Sequence, residues 1–339
     1  MGLKLLHSAD WHLDSPFRGF DRERGELLRR ESLALPGKIA ELCRREGCGL
    51  LLLPGDIFDG KPTRESLDAL KNALEEAGVP AFVTPGNHDY GSFWQTEKWP
   101  GNLHLFLGDW ESVSLPDLDC RVWGAGYRQM DCPGLLESFR ARGPETWQLG
   151  LVHGDAVTPG SPYCPVTPAQ VRGSGLTYLA LGHVHRAGSF RAGDTLCGWP
   201  GCPMGRGWDE TGEKGVYIVD VGERTEVSFR SLPGIRFYNL EIPAGDLENR
   251  LPGGETRDFY RVTITGEGEG EVRLPGIPNL WLTDRRRNPG DLWESAGEDT
   301  LEGVYFAMLR RKAEAGEAAA SLAARISREL LEGREVALP

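Results

Sequence analysis

Apolar and polar residues follow a regular order through the first part of the chain. Short unbroken apolar runs predict buried strands, and the longer segments between them place apolar residues at helical spacing. The predicted order is strand, helix, strand, helix, strand, at residues 3–9, 22–46, 50–53, 63–77 and 81–84. We expect Pro36-Gly37 to interrupt the first helical segment, and Thr63 and Gly78 to begin and end the second. This alternation is typical of an α/β domain with a largely parallel sheet.

Strand patterns continue to residue 232, where the character of the chain changes. Further strands are predicted at residues 102–107, 112–115, 121–126, 147–152, 178–181, 189–191, 195–198, 215–221 and 225–232. Residues 133–142 predict a helix, and Gly193-Asp194 predicts a hairpin turn. Beyond Pro233-Gly234 the chain is rich in Pro and Gly and then ends in an Ala/Glu/Arg-rich helical tail. We therefore predict three parts: a large α/β domain at 1–235, a small α+β domain at 236–298 and a helical tail at 299–339.

The composition argues against several classes of protein. The 339 residues include seven cysteines, an odd number with no C-x-x-C pair, which argues against a disulfide framework and a zinc ribbon. No apolar run approaches the roughly 20 residues of a membrane-spanning helix, and no leader pattern precedes the first strand, so we expect a cytoplasmic protein without membrane contact. The formal net charge of −12 means that the chain as a whole does not attract nucleic acid.

Polar residues able to bind metal ions follow five of the predicted strands. The signatures are D-x-H at 10–12, G-D-x-x-D at 55–59, G-N-H-D at 86–89, H-G at 153–154 and G-H-x-H at 182–185. The carboxyl ends of the strands in an α/β sheet share one edge, where ligands bind, so we expect these loops to form one site. Five of the seven histidines lie in the signatures, and only His7 and His104 lie outside them.

The residue types in these signatures indicate the kind of metal. The candidate side chains are Asp10, His12, Asp56, Asn87, His88, His153, His183 and His185. Carboxylates, imidazoles and an amide carbonyl, without a thiolate, favour Mn²⁺, Mg²⁺, Fe or Zn²⁺ over copper(I) or an iron–sulfur cluster. So many donors suit two ions, about 3.5–4 Å apart, that share a carboxylate, as in phosphoryl hydrolysis.

Together the five signatures resemble the motif series of the calcineurin-like metallophosphoesterases. The resemblance implies a four-layer α/β/β/α sandwich in which a hydroxide bridging two metal ions hydrolyses a phosphoester. It implies that His88 is not a ligand but an acid that protonates the leaving oxygen or stabilises the transition state. It implies two ligand sets that share Asp56: Asp10, His12, Asp56 and His185 for one ion, and Asp56, Asn87, His153 and His183 for the other.

Segments 7–17, 55–60, 200–207 and 209–215 resemble the DNA repair exonuclease branch of that family, which includes SbcD-like and YhaO-like proteins. The branch implies Mn²⁺-dependent exonuclease and endonuclease activity on DNA, a homodimer, and an SMC-like coiled-coil ATPase as a partner. It also implies that the small C-terminal α+β domain caps DNA and that the tail docks the ATPase. Helical spacing alone predicts instead that four apolar residues of the tail are core: Leu301, Tyr305, Met308 and Leu309.

Three more side chains have expected roles near the site. Asp89 follows His88 and is a carboxylate able to orient the imidazole and raise its pKa, as a general acid requires. Arg186, directly after the last predicted ligand, is predicted to bind the substrate phosphate. In the relatives a second histidine often stands at the position of Asp59 and helps to place the DNA end. Asp59 is therefore also a predicted substrate contact, and its identity bears on the efficiency of exonuclease cleavage.

Three hypotheses about function remain open. The first is a DNA nuclease subunit of a repair complex. The second keeps the metal site but assigns it to nucleotides, cyclic nucleotides or phosphoproteins, which the acidic net charge supports. The third is a scaffold without activity that keeps the fold for a partner ATPase, and the complete set of predicted ligands argues against it.

Overall fold

The chain folds into two compact units. The computed structural model describes residues 2–251, 257–268, 272, 276–286 and 289–331. The units are Met1–Phe237 and Tyr238–Pro339. The division into 1–235, 236–298 and 299–339 remains a prediction about which segments act as separate domains.

Twelve strands of the first unit form two six-stranded sheets. The strands are β1 (Leu3–His7), β2 (Leu50–Pro54), β3 (Ala81–Thr84), β4 (Leu103–Leu105), β5 (Glu111–Leu115), β6 (Cys120–Gly124), β7 (Trp147–His153), β8 (Tyr178–Gly182), β9 (Arg186–Ala192), β10 (Thr195–Gly201), β11 (Gly215–Val221) and β12 (Glu226–Ser231). The orders are β12-β11-β1-β2-β3-β4 and β5-β6-β7-β8-β10-β9. The predicted strands are confirmed, with ends shifted by at most three residues.

Each sheet is mixed at its edges, and the parallel core expected from the first three strands is confirmed. Strands β1 to β4 are parallel, but β11 pairs antiparallel with β1, and β12 pairs antiparallel with β11. In the second sheet β6, β7 and β8 are parallel, whereas β5 and β9 are antiparallel to their neighbours. Three of the four antiparallel pairs in these sheets, β5–β6, β9–β10 and β11–β12, are hairpins, which add strands without a crossover helix.

The hydrophobic core lies between the two sheets. Leu52 and Phe82 from the first sheet form one buried cluster with Leu151 and Tyr178 from the second. Successive side chains of a strand point to opposite faces, so the next residue, Leu179, belongs to the cluster on the outer face of the second sheet.

Helices cover the outer faces and complete the predicted α/β/β/α sandwich, which is confirmed. The helices of this unit are α1 (Arg22–Leu33), α2 (Leu35–Glu46), α3 (Arg64–Ala77), α4 (Phe93–Thr96) and α5 (Pro168–Gly173), with a 3-10 turn at Pro116–Leu118. Helices α1, α2 and α3 bury Leu28, Ile39 and Leu70, and α5 contributes Val171 to the outer cluster of the second sheet.

Two details of the helix prediction are wrong. The break between α1 and α2 falls at Ala34, and Pro36 lies in the first turn of α2, where its missing N–H removes no helical hydrogen bond. Residues 133–142 form turns rather than a helix. In this segment the Trp110 indole donates to the carbonyl of Leu135 at 2.8 Å, and Phe139 stacks on the Trp110 ring. These tertiary contacts replace the helical ones.

The second unit has a sheet and core of its own. Its strands are β13 (Phe237–Pro243), β14 (Phe259–Thr265) and β15 (Leu280–Asp284), in the order β13-β14-β15. Ile242, Val262 and Ile264 are buried together. Its helices are α6 (Leu247–Arg250), α7 (Leu301–Glu314) and α8 (Ala318–Leu331), with 3-10 segments at Ala244–Asp246 and Pro289–Gly297.

The expectation that four apolar side chains of α7 are core is wrong for three of them, which are exposed. Leu301 is 90% exposed and Met308 51%, and Tyr305 is also exposed, whereas Leu309 is partly buried. Phe306 is the large side chain that α7 buries. Among the described residues, the helices are too short or too polar to cross a lipid bilayer.

Replacement of Leu151 by alanine is expected to destabilise the first unit by about 2–5 kcal/mol, because the truncation leaves a cavity between the sheets. The measurement is the free energy of unfolding from urea titrations followed by tryptophan fluorescence. Leu33→Ala is the control, since Leu33 is 36% exposed on α1 and its loss is expected to cost less than about 1 kcal/mol. Equal losses in the two variants contradict this assignment of the core.

Candidate metal centre

The five signature loops come together at one edge of the two sheets. Backbone hydrogen bonds join the first two loops, from the Asp10 N–H to the Gly55 carbonyl at 3.2 Å and from the His12 N–H to the Asp56 carbonyl at 3.0 Å. The Gly154 N–H donates to the Gly182 carbonyl and so joins the ends of β7 and β8. The convergence expected from the strand ends is therefore present in the fold.

The backbone is strained at four of the predicted ligands. Asp10, His12, Asp56 and His183 have φ angles of 55°, 46°, 51° and 91°, in the left-handed region that side chains other than glycine rarely adopt. Such strain persists where surrounding contacts fix it, and it concentrates at functional sites. Gly55 permits the close packing, since a Cβ there would lie 2.5 Å from Nδ1 of His153.

One half of the site consists of Asp10, His12 and His185. Their ligand atoms lie within 4.8 Å of one another. The Nε2 atoms of His12 and His185 are 3.2 Å apart. Burial lowers the pKa of His12 well below its ordinary value, so its imidazole is neutral at neutral pH. Two imidazole nitrogens facing each other at this distance suit a cation between them.

The other half surrounds Asn87. Its side-chain oxygen lies 2.9 Å from Nε2 of His153 and 3.3 Å from Nδ1 of His183. Nδ1–H of His153 donates to the Pro54 carbonyl at 3.1 Å, which leaves Nε2 to face the site. Burial lowers the pKa of His183 to about 4, so this imidazole is also neutral.

Asp56 lies between the two halves. Its Oδ2 is 3.7 Å from Nε2 of His12 and 3.3 Å from Nε2 of His153. Its Oδ1 accepts the backbone N–H of His88 at 2.9 Å. Although burial opposes the charge of Asp56, His153 and His12 hold the pKa of this carboxyl below its usual range. Burial likewise disfavours a charge on His153, but Asp56 and Asp10 raise its pKa to about 9.

These residues fit a pair of divalent cations. Oδ2 of Asp10 and Nδ1 of His12 are buried and have no hydrogen-bond partner among the described residues. A buried polar atom without a partner is costly, and a cation bound to Asp10 would remove that cost. The side chains of the site offer carboxylate and amide oxygens and imidazole nitrogens, the donor types that hard to borderline metal ions bind.

His88 lies at the border of the cluster and pairs with Asp59. Its ring packs edge-on against His12 at 4.7 Å, and its side chain is 43% exposed. Nδ1–H of His88 donates to Oδ1 of Asp59 at 2.9 Å. This hydrogen bond raises the pKa of His88 and lowers that of Asp59 to about 2. Ser15 donates a second hydrogen bond to Asp59 at 2.9 Å and holds the carboxylate in place.

Asp89 does not contact the His88 ring, which corrects the expectation that it orients this imidazole. Its carboxylate is buried and accepts three backbone N–H groups, from Gly86 at 2.7 Å, Ile57 at 2.8 Å and Phe58 at 3.3 Å. Asp89 therefore ties the second and third signature loops together. Although Asp89 follows His88 in the sequence, its carboxylate binds these backbone groups instead of the imidazole. Asp59, from another loop, is the carboxylate that pairs with the His88 ring.

Two functional candidates, Arg206 and Glu210, were missed by the sequence-based prediction. Nδ1–H of His185 donates to Oε1 of Glu210 at 2.7 Å, and Glu210 also binds Arg206. The resemblance of segment 200–215 was the only signal for this pair, and it assigned no role to either residue.

The predicted phosphate ligand Arg186 begins β9 and is exposed. Its role in phosphate binding remains a prediction.

Comparison with known proteins identifies the relatives of this chain. The model of the calcineurin-like phosphoesterase family matches residues 3–187. The uncharacterized metallophosphoesterase YhaO of Bacillus subtilis (strain 168) is 32% identical over 246 residues, which cover 65% of this chain and 57% of YhaO. One of the subunits of the nuclease SbcCD from Staphylococcus epidermidis is 22% identical over 312 residues, covering 78% of this chain and 79% of that one.

A third similar protein is the DNA double-strand break repair protein Mre11 of Aeropyrum pernix. It is 22% identical over 269 residues, which cover 72% of this chain and 64% of Mre11. The matched part of this chain spans little more than half the length of YhaO, at 57%.

Replacement of Asp59 by asparagine is expected to lower the pKa of His88. Asp59 stabilises the protonated imidazole, so the wild-type pKa lies above the ordinary histidine value of about 6.5, and loss of the carboxylate charge lowers it. The measurement is an NMR titration of the His88 ring in metal-free protein. Asp220→Asn is the control, because Asp220 is exposed and pairs in register with Lys4 at the opposite end of β1. An unchanged His88 pKa in Asp59→Asn argues against the pairing.

Proposed function

The chain belongs to the calcineurin-like phosphoesterase family, and from that premise we propose that it is a divalent-metal-dependent DNA nuclease that hydrolyses phosphodiester bonds. The Asp/His cluster around Asp56 is the observation that carries the proposal. Nucleic acid as the substrate is favoured because one similar protein is named as part of a nuclease and another as a DNA double-strand break repair protein.

The proposed ligands fall into the two halves that the geometry defines. One ion is held by Asp10, His12, Asp56 and His185, and the other by Asp56, Asn87, His153 and His183. Mn²⁺ is the ion that we propose, and the same donors accept Mg²⁺, Fe or Zn²⁺. When bound, the two ions supply Lewis-acid polarisation of the phosphate and lower the pKa of a coordinated water to about 7.

His88 is the proposed proton donor to the leaving oxygen. A general acid must be protonated at working pH, and the hydrogen bond to Asp59 favours the protonated form. Nδ1 of His88 is occupied by Asp59, so Nε2–H is the group that can donate to the substrate. Because the acid is lost as the pH rises through the pKa of His88, the rate of the bond-breaking step falls in that range, and Asp59→Asn moves the fall to lower pH.

Because the net charge of the chain is −12, attraction for DNA must come from a local basic patch, from bound divalent cations or from a partner subunit. We propose that an SMC-like coiled-coil ATPase binds the exposed apolar side chains of α7, which include Leu301, Val304 and Met308. A homodimer and a DNA-capping role of the small β13-β14-β15 domain belong to the same proposal and rest on the resemblance.

Purified protein is expected to cleave linear DNA in the presence of Mn²⁺ and to lose that activity in a chelator. Replacement of His88 by alanine is expected to lower kcat by about 10²–10⁴-fold, the usual contribution of a general acid, without loss of bound metal. Gel assays of cleavage and elemental analysis of the protein measure the two effects. His104→Ala is the control, since His104 lies on β4 and stacks on Phe82 in the sheet.

The nuclease proposal is rejected if no divalent ion supports DNA cleavage, either alone or with the ATPase partner. Rapid hydrolysis of small phosphodiesters without DNA cleavage assigns the same site to nucleotides, cyclic nucleotides or phosphoproteins. Protein that binds no divalent ion at all supports a scaffold without activity.

A further inference from the structure

A buried carboxylate, Glu210, joins the candidate metal centre to an arginine. Glu210 is 7% exposed and accepts the Nδ1–H of His185 at 2.7 Å. It also accepts the backbone N–H of Arg206 at 2.8 Å and the Nη2–H of the same residue at 2.8 Å. One carboxylate therefore fixes both an imidazole of the site and a guanidinium beside it.

The hydrogen bond from His185 to Glu210 determines which nitrogen faces the site. Because Nδ1 carries the donated proton, Nε2 presents its lone pair towards Nε2 of His12, 3.2 Å away. A carboxylate behind a ligand histidine commonly fixes its tautomer and raises its basicity, and loss of such a group lowers metal affinity about 10–100-fold.

Arg206 lies beside the candidate metal centre, since its Nη2 is 3.3 Å from Nδ1 of the predicted ligand His185. The Arg206 side chain is only 24% exposed, so the cation is held in the wall of the site rather than in solvent.

Arg206 has hydrogen-bonding capacity that Glu210 does not use. Its Nε and Nη2 point to Glu210, with Nη2 also 3.3 Å from Nδ1 of His185. Its Nη1 has no hydrogen-bond partner among the described residues. Glu210 compensates the charge of Arg206, and the N–H groups that Glu210 does not use can bind a further anion at the site. The planar fork of a guanidinium matches the oxygens of a phosphate group.

We propose that Arg206 binds a non-bridging oxygen of the substrate phosphate and that Glu210 is the positioning residue that holds Arg206 and His185 in fixed relation. This inference rests on the proposed function, since it places the phosphate at the same metal centre. Arg186, which the sequence favoured for this role, is exposed at the start of β9, whereas Arg206 is fixed in the site wall.

The test measures binding of inorganic phosphate to Mn²⁺-loaded protein by titration calorimetry. Arg206→Ala is expected to raise the Kd at least about tenfold, since a charge-assisted hydrogen bond is lost, while the metal content stays unchanged. Arg206→Lys is expected to give an intermediate Kd, because it keeps the charge and loses the fork. Arg44→Ala is the matched control, since Arg44 forms an exposed ion pair with Glu76 on the helices.

Glu210→Gln tests the positioning role. It is expected to weaken phosphate binding and also to raise the Kd for Mn²⁺ by about tenfold or more. A salt bridge that only stabilises the 202–210 loop predicts a lower melting temperature with both constants unchanged. If Arg206→Ala does not fold, the test uses Arg206→Lys and measures KM and kcat for a small phosphodiester. KM is expected to rise by a larger factor than kcat falls.

The outcomes separate this inference from the proposed function. Phosphate binding that depends on Arg206 in a protein that does not cleave DNA supports the inference and rejects the nuclease. DNA cleavage that is retained, with phosphate binding and KM unaffected in the Arg206 variants, overturns the inference alone. Absence of measurable phosphate binding to the wild type also overturns it.

Discussion

The burial of Asp56 among imidazoles is the constraint on which the rest of the structure depends. A carboxylate removed from water is costly unless opposite charge or hydrogen bonds compensate for it. Here one oxygen accepts the His88 N–H, and the other lies between Nε2 of His12 and Nε2 of His153. Without a cation, the proton on His153 supplies the positive charge, and a divalent ion can take that place. Metal binding and the stability of the site therefore both depend on how the buried charge of Asp56 is compensated.

The two sheets supply the rigid frame that this arrangement needs. The signature loops leave neighbouring strands at one edge, and a well-packed core fixes the spacing of those strands. The frame also holds the left-handed backbone of Asp10 and Asp56, which would relax in a looser setting. Asp89 joins the second and third signature loops by accepting backbone N–H groups from both, so this residue of the motif has a structural role.

Strand positions and the convergence of the loops were predictable from sequence, because buried strands have a strong local pattern and their ends share an edge. Contacts between distant loops were not. The pairing of His88 with Asp59 rather than Asp89 depends on how two turns cross, and the Arg206–Glu210 pair depends on where the chain returns after β10. The helix expected at 133–142 failed for the same reason, since Trp110 and Phe139 impose a tertiary arrangement that local spacing does not encode.

Anomalous diffraction from crystals grown with Mn²⁺ is the most direct measurement of whether two cations share Asp56. We expect two peaks about 3.5–4 Å apart, the usual separation in dinuclear hydrolases. One peak is expected between His12 and His185, the other beside Asn87, His153 and His183, and the carboxylate of Asp56 between them. A single peak, or peaks remote from Asp56, would show that Asp56 does not bridge two cations.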